Sequence, residues 1–428
     1  MLQTIEAVNA VINKFIWGIP AIICIIGVGL YLSIRTGFIQ IRKFPLAMKQ
    51  TIGKVFEKKE ATHGALTPFQ AVCTALSATV GTGNIAGVAG AIAIGGPGAV
   101  FWMWISAFLG MATVYWENIL SARYSDNELK GPMAYLTKCL GSPLMALFFA
   151  IFCACTSLGM GSMAQISVFA DAFGQCVNFS RPIMAAAVFA VVLIVVRGGG
   201  QRIGTAAQFL LPLASIAYTA ACIGVIALNI RHIPHIFEEI FSEAFNFKSA
   251  VGGGIGAAIS TGIRRGLFSN EAGLGSSPIL HSAADSSSPE TQGLWSMFEV
   301  FFDTIICCTL TALTVLCGSE NFSPAAAISA VLGDFSDTFI TAELGIFSFC
   351  TVIGWYFCGM TAFNHIFKGR FTEYFALAYA ALAACGALFS AESVWLLSDI
   401  FNGLMAFVNI SGIIIIIIFN KCNSFYPS

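Results

Sequence analysis

The sequence predicts an all-α integral membrane protein with eleven transmembrane helices, and three observations carry that expectation. Only 10% of the 428 residues are Asp, Glu, Lys or Arg, against roughly 25% in a soluble domain. Hydrophobic residues make up 57% and the mean hydropathy is +0.82, so too little polar surface remains to cover a water-soluble particle. The apolar residues also fall into stretches of about the 20 residues that cross a bilayer. Abundant Gly (42) and Phe (38) fit helices packed closely in lipid. The same composition argues against a disordered, nucleic-acid-binding or secreted disulfide-rich protein. The net charge of −1 implies no strongly acidic or basic partner. Membrane lipid is the expected surrounding, with no obligatory protein partner evident.

The expected spans are residues 13–34, 67–94, 99–123, 143–174, 181–197, 206–229, 250–283, 292–318, 340–366, 371–390 and 394–420. The first reads as a span rather than a cleaved leader: Lys14 precedes a long apolar run, no small-residue cleavage pattern follows, and a basic loop lies behind it. That loop, 35–66, carries Arg35, Arg42, Lys43, Lys49, Lys54, Lys58 and Lys59. With spans alternating, fifteen of the 21 Lys and Arg fall on its side, four on the other, and Arg264 and Arg265 inside a span. Basic loops stay cytoplasmic, which places the N-terminus outside, the C-terminus inside, and the protein in the cell membrane. Segment 231–247 is an outside connection with apolar Ile236, Phe237, Ile240 and Phe241; it reads as an interfacial connector or as a lid. No stretch remains for a separate soluble domain, so 1–428 is expected to be one transmembrane domain.

Two spans are interrupted. The second contains Ser77-Ala78-Thr79-Val80-Gly81-Thr82-Gly83-Asn84-Ile85-Ala86-Gly87, and the seventh Arg264-Arg265-Gly266-Leu267-Phe268-Ser269-Asn270-Glu271-Ala272-Gly273-Leu274-Gly275-Ser276. Clustered glycines with Thr and Asn are poor helix formers. They can open a helix and free peptide groups that lipid cannot satisfy. A glycine face for close helix packing is the competing reading. Each charge at mid-membrane costs about 2.5–3.5 kcal/mol, so Arg264, Arg265 and Glu271 must pair or face water or protein; an internal salt bridge locking two helices is the structural alternative.

The two breaks lie five spans apart. An odd repeat length inverts the second copy, so residues 67–229 and 250–420 read as a 5+5 inverted repeat preceded by one extra helix. Paired broken helices in corresponding positions mark the site of a secondary transporter. Helix termini there carry about half an elementary charge of either sign. Freed amides suit a carboxylate, and freed carbonyls suit an ammonium group or a small hard cation. A zwitterionic amino acid with Na⁺ matches both.

Segments Val80 to Ala89, Gly95-Gly96-Pro97-Gly98-Ala99-Val100-Phe101-Trp102-Met103-Trp104, Arg265 to Ser276, and Glu299-Val300-Phe301-Phe302-Asp303-Thr304 together resemble the alanine or glycine:cation symporter family, in consistent order over about residues 65–410. The resemblance implies a leucine-transporter-like fold over spans two to eleven, and Na⁺-coupled uptake of alanine, glycine or D-alanine, with Na⁺ as the co-transported ion and no enzymatic activity. It implies substrate contacts at Thr82, Gly83, Asn84, Phe268, Ser269, Asn270 and Gly273. Gln165 matches a pocket glutamine, although an interhelical hydrogen bond also explains it. A sodium site is implied at Thr79, Thr82, Cys350 and Thr351. There the chain has Cys350-Thr351 where the family usually has Ser-Thr, and sulfur is a poor ligand for a hard cation. Gly359-Met360 likewise replaces a usual Gly-Glu, and Val408 a usual proline. Proton coupling is the alternative to sodium coupling.

Glu299 and Asp303, spaced i,i+4, share a helix face. They are expected to pair with Arg264 or Arg265, or to relay protons. Glu117 and Asp171 read as structural. Gly252-Gly253-Gly254-Ile255-Gly256 follows no strand and is not a nucleotide loop. The segment Arg197 to Arg202 lacks a phosphate-loop pattern. Most of the 14 cysteines, such as Cys24, Cys153 and Cys307, lie in apolar runs without metal-ligand spacing, and the five histidines include no H-E-x-x-H.

Overall fold

The structure, a computed structural model, describes residues 16–54, 66–245, 256–283 and 288–419. Both termini, the lysines at 58 and 59, the first residues of spans one and seven, and most of the Gly252–Gly256 run lie outside the described residues.

Every element among the described residues is helical. Helix α1 is Ile19–Arg35, α2 Pro68–Thr79, α3 Val88–Gly95, α4 Gly98–Tyr124, α5 Pro143–Leu158, α6 Ala164–Cys176, α7 Arg181–Val196 and α8 Gly199–Leu228. Then follow α9 Ile233–Ala244, α10 Ala257–Asn270, α11 Ser276–His281, α12 Pro289–Val300, α13 Thr309–Gly318, α14 Ser336–Phe367, α15 Thr372–Gly386 and α16 Ala391–Ile418. Three π-helical turns, Gly83–Gly87, Gly159–Met163 and Phe301–Cys308, join α3, α6 and α13 to what precedes them.

Several helices start with the same local device. A hydroxyl at the N-cap precedes proline in the first turn at Thr67-Pro68, Ser142-Pro143, Ser288-Pro289 and Ser323-Pro324. The hydroxyl accepts a backbone N–H that the helix leaves unpaired, and proline has no N–H there to satisfy. At Thr67 this becomes a reciprocal box: Thr67 Oγ1 accepts from Gln70 N (3.2 Å), and Gln70 Oε1 accepts from Thr67 N (3.1 Å).

Six helical stretches are long and apolar enough to cross a membrane, and the bent pair Phe69–Thr79 with Gly83–Gly95 makes a seventh. The other four expected spans hold shorter elements: α1 (17 residues), α7 (16 residues), α15 (15 residues) and the interrupted pair α10 and α11. At 1.5 Å per residue, 15–17 residues reach only about 22–26 Å, less than a bilayer core of roughly 30 Å.

At the centre stands α4, packed between α10 and α12. Glycine makes the α4–α10 contact possible. A methyl at Gly262 would overlap the Ala99 carbonyl, and one at Gly266 the Ser106 side chain. Backbones that close need small residues one turn apart. Helix α9 caps one end of α4. Its Ile236 and Ile240 join Val100 and Met103 in an apolar cluster, and Trp102 Nε1 donates to the Ala244 carbonyl (2.8 Å). The expected connector is thus a packed element.

Gly262→Val places branched carbon against the Ala99 backbone, which cannot yield as a flexible side chain can. The expected cost is at least about 1–3 kcal/mol, read as a lower melting temperature in detergent. An unchanged melting temperature would contradict the glycine seam.

Candidate functional site

Helix α2 ends where Val80 turns extended (ψ 97°), and the chain resumes at a 47° bend. Asn84 closes this break on itself. Its Oδ1 accepts from Gly81 N (2.9 Å) while its own N–H donates to the Gly81 carbonyl (3.1 Å). Thr82 Oγ1 donates to Gln165 Oε1 (2.8 Å), and Gln165 Nε2 reaches the Met160 carbonyl (3.2 Å) beside the π turn. Gln165 therefore joins α6 to the break, as the interhelical reading expects. Gly81 also faces α14: any side-chain carbon on it would meet Thr351 Oγ1 and Gln165 Oε1. Thr351 Oγ1 donates to its own helix at the Phe347 carbonyl (3.0 Å), and Thr79 Oγ1 to the Leu76 carbonyl (3.3 Å). Cys350 is buried in the apolar cluster of Val72, Leu76 and Val80.

The second break spans Glu271 to Gly275, between α10 and α11. It uses left-handed backbone at Glu271 (φ 56°), Gly273 (φ 84°) and Gly275 (φ 85°). Glycine adopts this region freely, whereas glutamate does so only when held. Glu271 is held: Oε1 accepts from Trp355 Nε1 (2.9 Å) and Oε2 from Ser276 Oγ. Asn270 Oδ1 accepts from Ala272 N (3.0 Å), an Asx turn that starts the excursion. The peptide groups of Gly273 find buried side chains: its N–H donates to Glu117 Oε2 (3.3 Å), and its carbonyl accepts from Asn409 Nδ2 (3.0 Å). Asn409 Nδ2 also reaches Glu117 Oε1, and Tyr135 OH donates to Asn409 Oδ1. Glu117 is thus structural, as expected. So is Asp171, which pairs with Arg181 (2.8 Å) and accepts from Ala391 N (3.2 Å).

One buried carboxylate ties the breaks together. Asp303 Oδ1 accepts from Asn84 Nδ2 (2.6 Å); Oδ2 accepts from Ser269 Oγ (2.6 Å) and Thr304 Oγ1 (2.8 Å). Asn84 Nδ2 also lies 3.3 Å from Ser269 Oγ. This corrects the expected pairing of Glu299 and Asp303 with Arg264 or Arg265. Glu299 instead meets His281 Nε2 (3.0 Å) and Ser277 Oγ (3.0 Å). The arginines are engaged elsewhere: Arg264 by Asp399, and Arg265 against Gly83 and Gly87. The salt bridge that locks two helices is Arg264 Nη2 to Asp399 Oδ2 (2.5 Å), between α10 and α16.

Beside the breaks lies a cavity of about 450 Å³ whose walls include Thr82, Gly83, Arg265, Phe268, Trp395 and Asp399. Phe268 forms an aromatic wall with Trp17 (ring centroids 4.8 Å apart) and Trp395 (6.4 Å). The expected site residues therefore divide. Thr82, Gly83 and Phe268 border the cavity; Asn84 and Ser269 turn into the Asp303 junction; Asn270 and Gly273 shape the second break.

The model of the Sodium:alanine symporter family matches residues 2–425. The chain belongs to that family. The sodium/alanine symporter AgcS of Methanococcus maripaludis is 39% identical, over 97% of this chain and 95% of its own length. The amino-acid carrier protein AlsT of Bacillus subtilis is 35% identical, over 94% of this chain and 88% of its own. The probable sodium/glutamine symporter GlnT of Bacillus subtilis is 32% identical, over 97% of this chain and 89% of its own. This family member is thus an amino-acid:cation symporter by descent, and not an enzyme.

Sequence reasoning missed Asp399 as the partner of Arg264, and the junction role of Asp303. The first has no local signal, since 135 residues separate the pair. The second depends on residues 34 and 219 positions away, which only the tertiary packing brings to Asp303. Asn409→Leu would leave Glu117, Tyr135 and the Gly273 carbonyl without their shared partner. Each orphaned group costs about 1–3 kcal/mol, so the melting temperature in detergent should fall sharply. A melting temperature within a degree of wild type would show that the network does not hold the break.

Proposed function

We propose that the chain carries a small neutral amino acid (alanine, glycine or D-alanine) into the cell together with Na⁺, by alternating access across the plasma membrane. The observation that carries this reading is the meeting of two broken helices at Asp303 beside an open cavity. In lipid such breaks persist only where something polar uses them. In this reading the eleven expected segments all span, with the shorter helices met by a thinned bilayer and snorkelling flanks, and residues 67–229 and 250–420 are inverted repeats of a leucine-transporter-like fold. The cavity is bordered by Ile94 and Ser260, near the ends of α3 and α10 away from the basic loop 35–66. Under the positive-inside orientation it faces outward.

Thr82, Gly83 and Asn84 meet the substrate carboxylate, Gln165 holds Thr82 in place, and Phe268, Ser269, Asn270 and Gly273 form the opposite wall. Na⁺ binds near Thr79, Thr82 and Thr351. Cys350 packs against apolar neighbours and adds a carbonyl at most. One Na⁺ suffices energetically. A charge moved through 100 mV yields about 2.3 kcal/mol, a tenfold gradient about 1.4 kcal/mol, and the two together support roughly 500-fold accumulation. Proton coupling remains the second reading. It is favoured by the buried Asp303 and by sulfur at position 350.

Counterflow of labelled alanine into proteoliposomes, with and without Na⁺ at fixed pH, separates the two. Loss of counterflow without Na⁺ is expected; full counterflow driven by pH alone would transfer the reading to protons. Leucine displacing alanine would remove the small-substrate preference. Asn84→Leu takes away both the acceptor for Gly81 and the donor to Asp303. Alanine affinity should fall by about tenfold or more in protein that still elutes as a single species. Unchanged affinity would refute the role given to Asn84.

A further inference from the structure

Arg264 and Arg265 are neighbours on α10 with different fates. Arg264 is neutralised by Asp399, and its guanidinium carbon lies 5.7 Å from the Phe268 ring centroid and 6.0 Å from that of Trp17. Arg265 has no such partner. Its Nε is buried without a hydrogen bond, and among the described residues no carboxylate pairs with it. Its guanidinium lies instead against the turn that follows the first break. A methyl on either Gly83 or Gly87 would collide with it. Neither glycine has a left-handed backbone, so conformational freedom does not explain them. Standing one turn apart, they open a groove in the helix face into which the planar group fits.

Arg265 thus reaches from α10 to the Thr82–Gly83 segment and forms part of the cavity wall. Asp303 and Asp399 lie near enough for their charges to act on the guanidinium without pairing with it, so its donors still lack an acceptor, which is costly at membrane depth, and a cavity beside it admits an anion that would supply one. On the same cavity wall, Asp399 keeps Oδ1 buried and unpartnered while Oδ2 serves Arg264. A ligand that brings one carboxylate and one ammonium group completes both.

We propose that Arg265 recognises the substrate's carboxylate alongside the Thr82–Asn84 segment; this rests on the amino-acid transport reading above. The guanidinium fork matches a carboxylate with two parallel N–H···O bonds, which an ammonium group or a single amide cannot reproduce. The pair Gly83 and Gly87 sets how deeply the fork is seated, and so where the carboxylate stops relative to the first break.

Calorimetric titration of the purified full-length chain in detergent with Na⁺ tests this, using L-alanine, L-alaninamide (no carboxylate) and propionate (no ammonium). Wild type should bind alanine about tenfold or more tightly than alaninamide, and propionate more weakly than alanine. Arg265→Gln should lose about tenfold for alanine but little for alaninamide, so that the preference collapses. Arg265→Lys keeps the charge without the fork and should fall between. If Arg265→Gln does not fold, Gly87→Ala decides: it displaces the guanidinium without removing it, and should weaken alanine while sparing alaninamide. A wild type that does not distinguish alanine from alaninamide overturns the proposal, as does a tenfold preference surviving in Arg265→Gln or, if that variant is lost, in Gly87→Ala. Those results leave the transporter reading intact. A wild type that binds no amino acid at all would sink the transporter reading and the proposal with it.

Discussion

The constraint on which this structure turns is that a peptide group released inside a membrane must be caught by another part of the same protein. Two helices give up their hydrogen bonds, at Val80–Thr82 and at Glu271–Gly275, and several buried polar side chains around them belong to the catch. Asn84 binds Gly81 from within the first break, and Glu117 and Asn409 bind Gly273 from outside the second. Asp303 then joins the two sets, so neither break is organised independently of the other.

The π turns belong to the same logic. Each lies next to one of the polar groups at the centre: Asn84 within Gly83–Gly87, Gln165 just after Gly159–Met163, and Asp303 within Phe301–Cys308. One extra residue per turn re-aims a side chain without interrupting a helix. That lets three otherwise regular segments deliver a polar group sideways into the middle of the molecule.

The sequence revealed this protein unevenly, for physical reasons. Composition and hydropathy gave the helical membrane class, because burial in lipid leaves a mark on every residue. Glycine clusters gave both breaks, since glycine tolerates the left-handed backbone at Gly273 and Gly275 and the close approaches at Gly81 and Gly83. Which polar side chains touch was less legible. Asn84, Ser269, Thr82 and Gln165 stood out as polar residues intruding into apolar runs. Asp303 was assigned the wrong partners, because the two α10 arginines are engaged elsewhere, by Asp399 and against Gly83 and Gly87. The partnership of Arg264 with Asp399 rests on tertiary packing alone, and α15 ends four residues before its apolar run does.

The bend in the second element has a mechanical side. Its lower half, Pro68–Thr79, rests on α8 and α14, whereas its upper half, Gly83–Gly95, rests on α10. A rod cut at mid-length can be steered at either end alone. The two halves of this element are therefore held by different neighbours, with Gly81 at the bend between them.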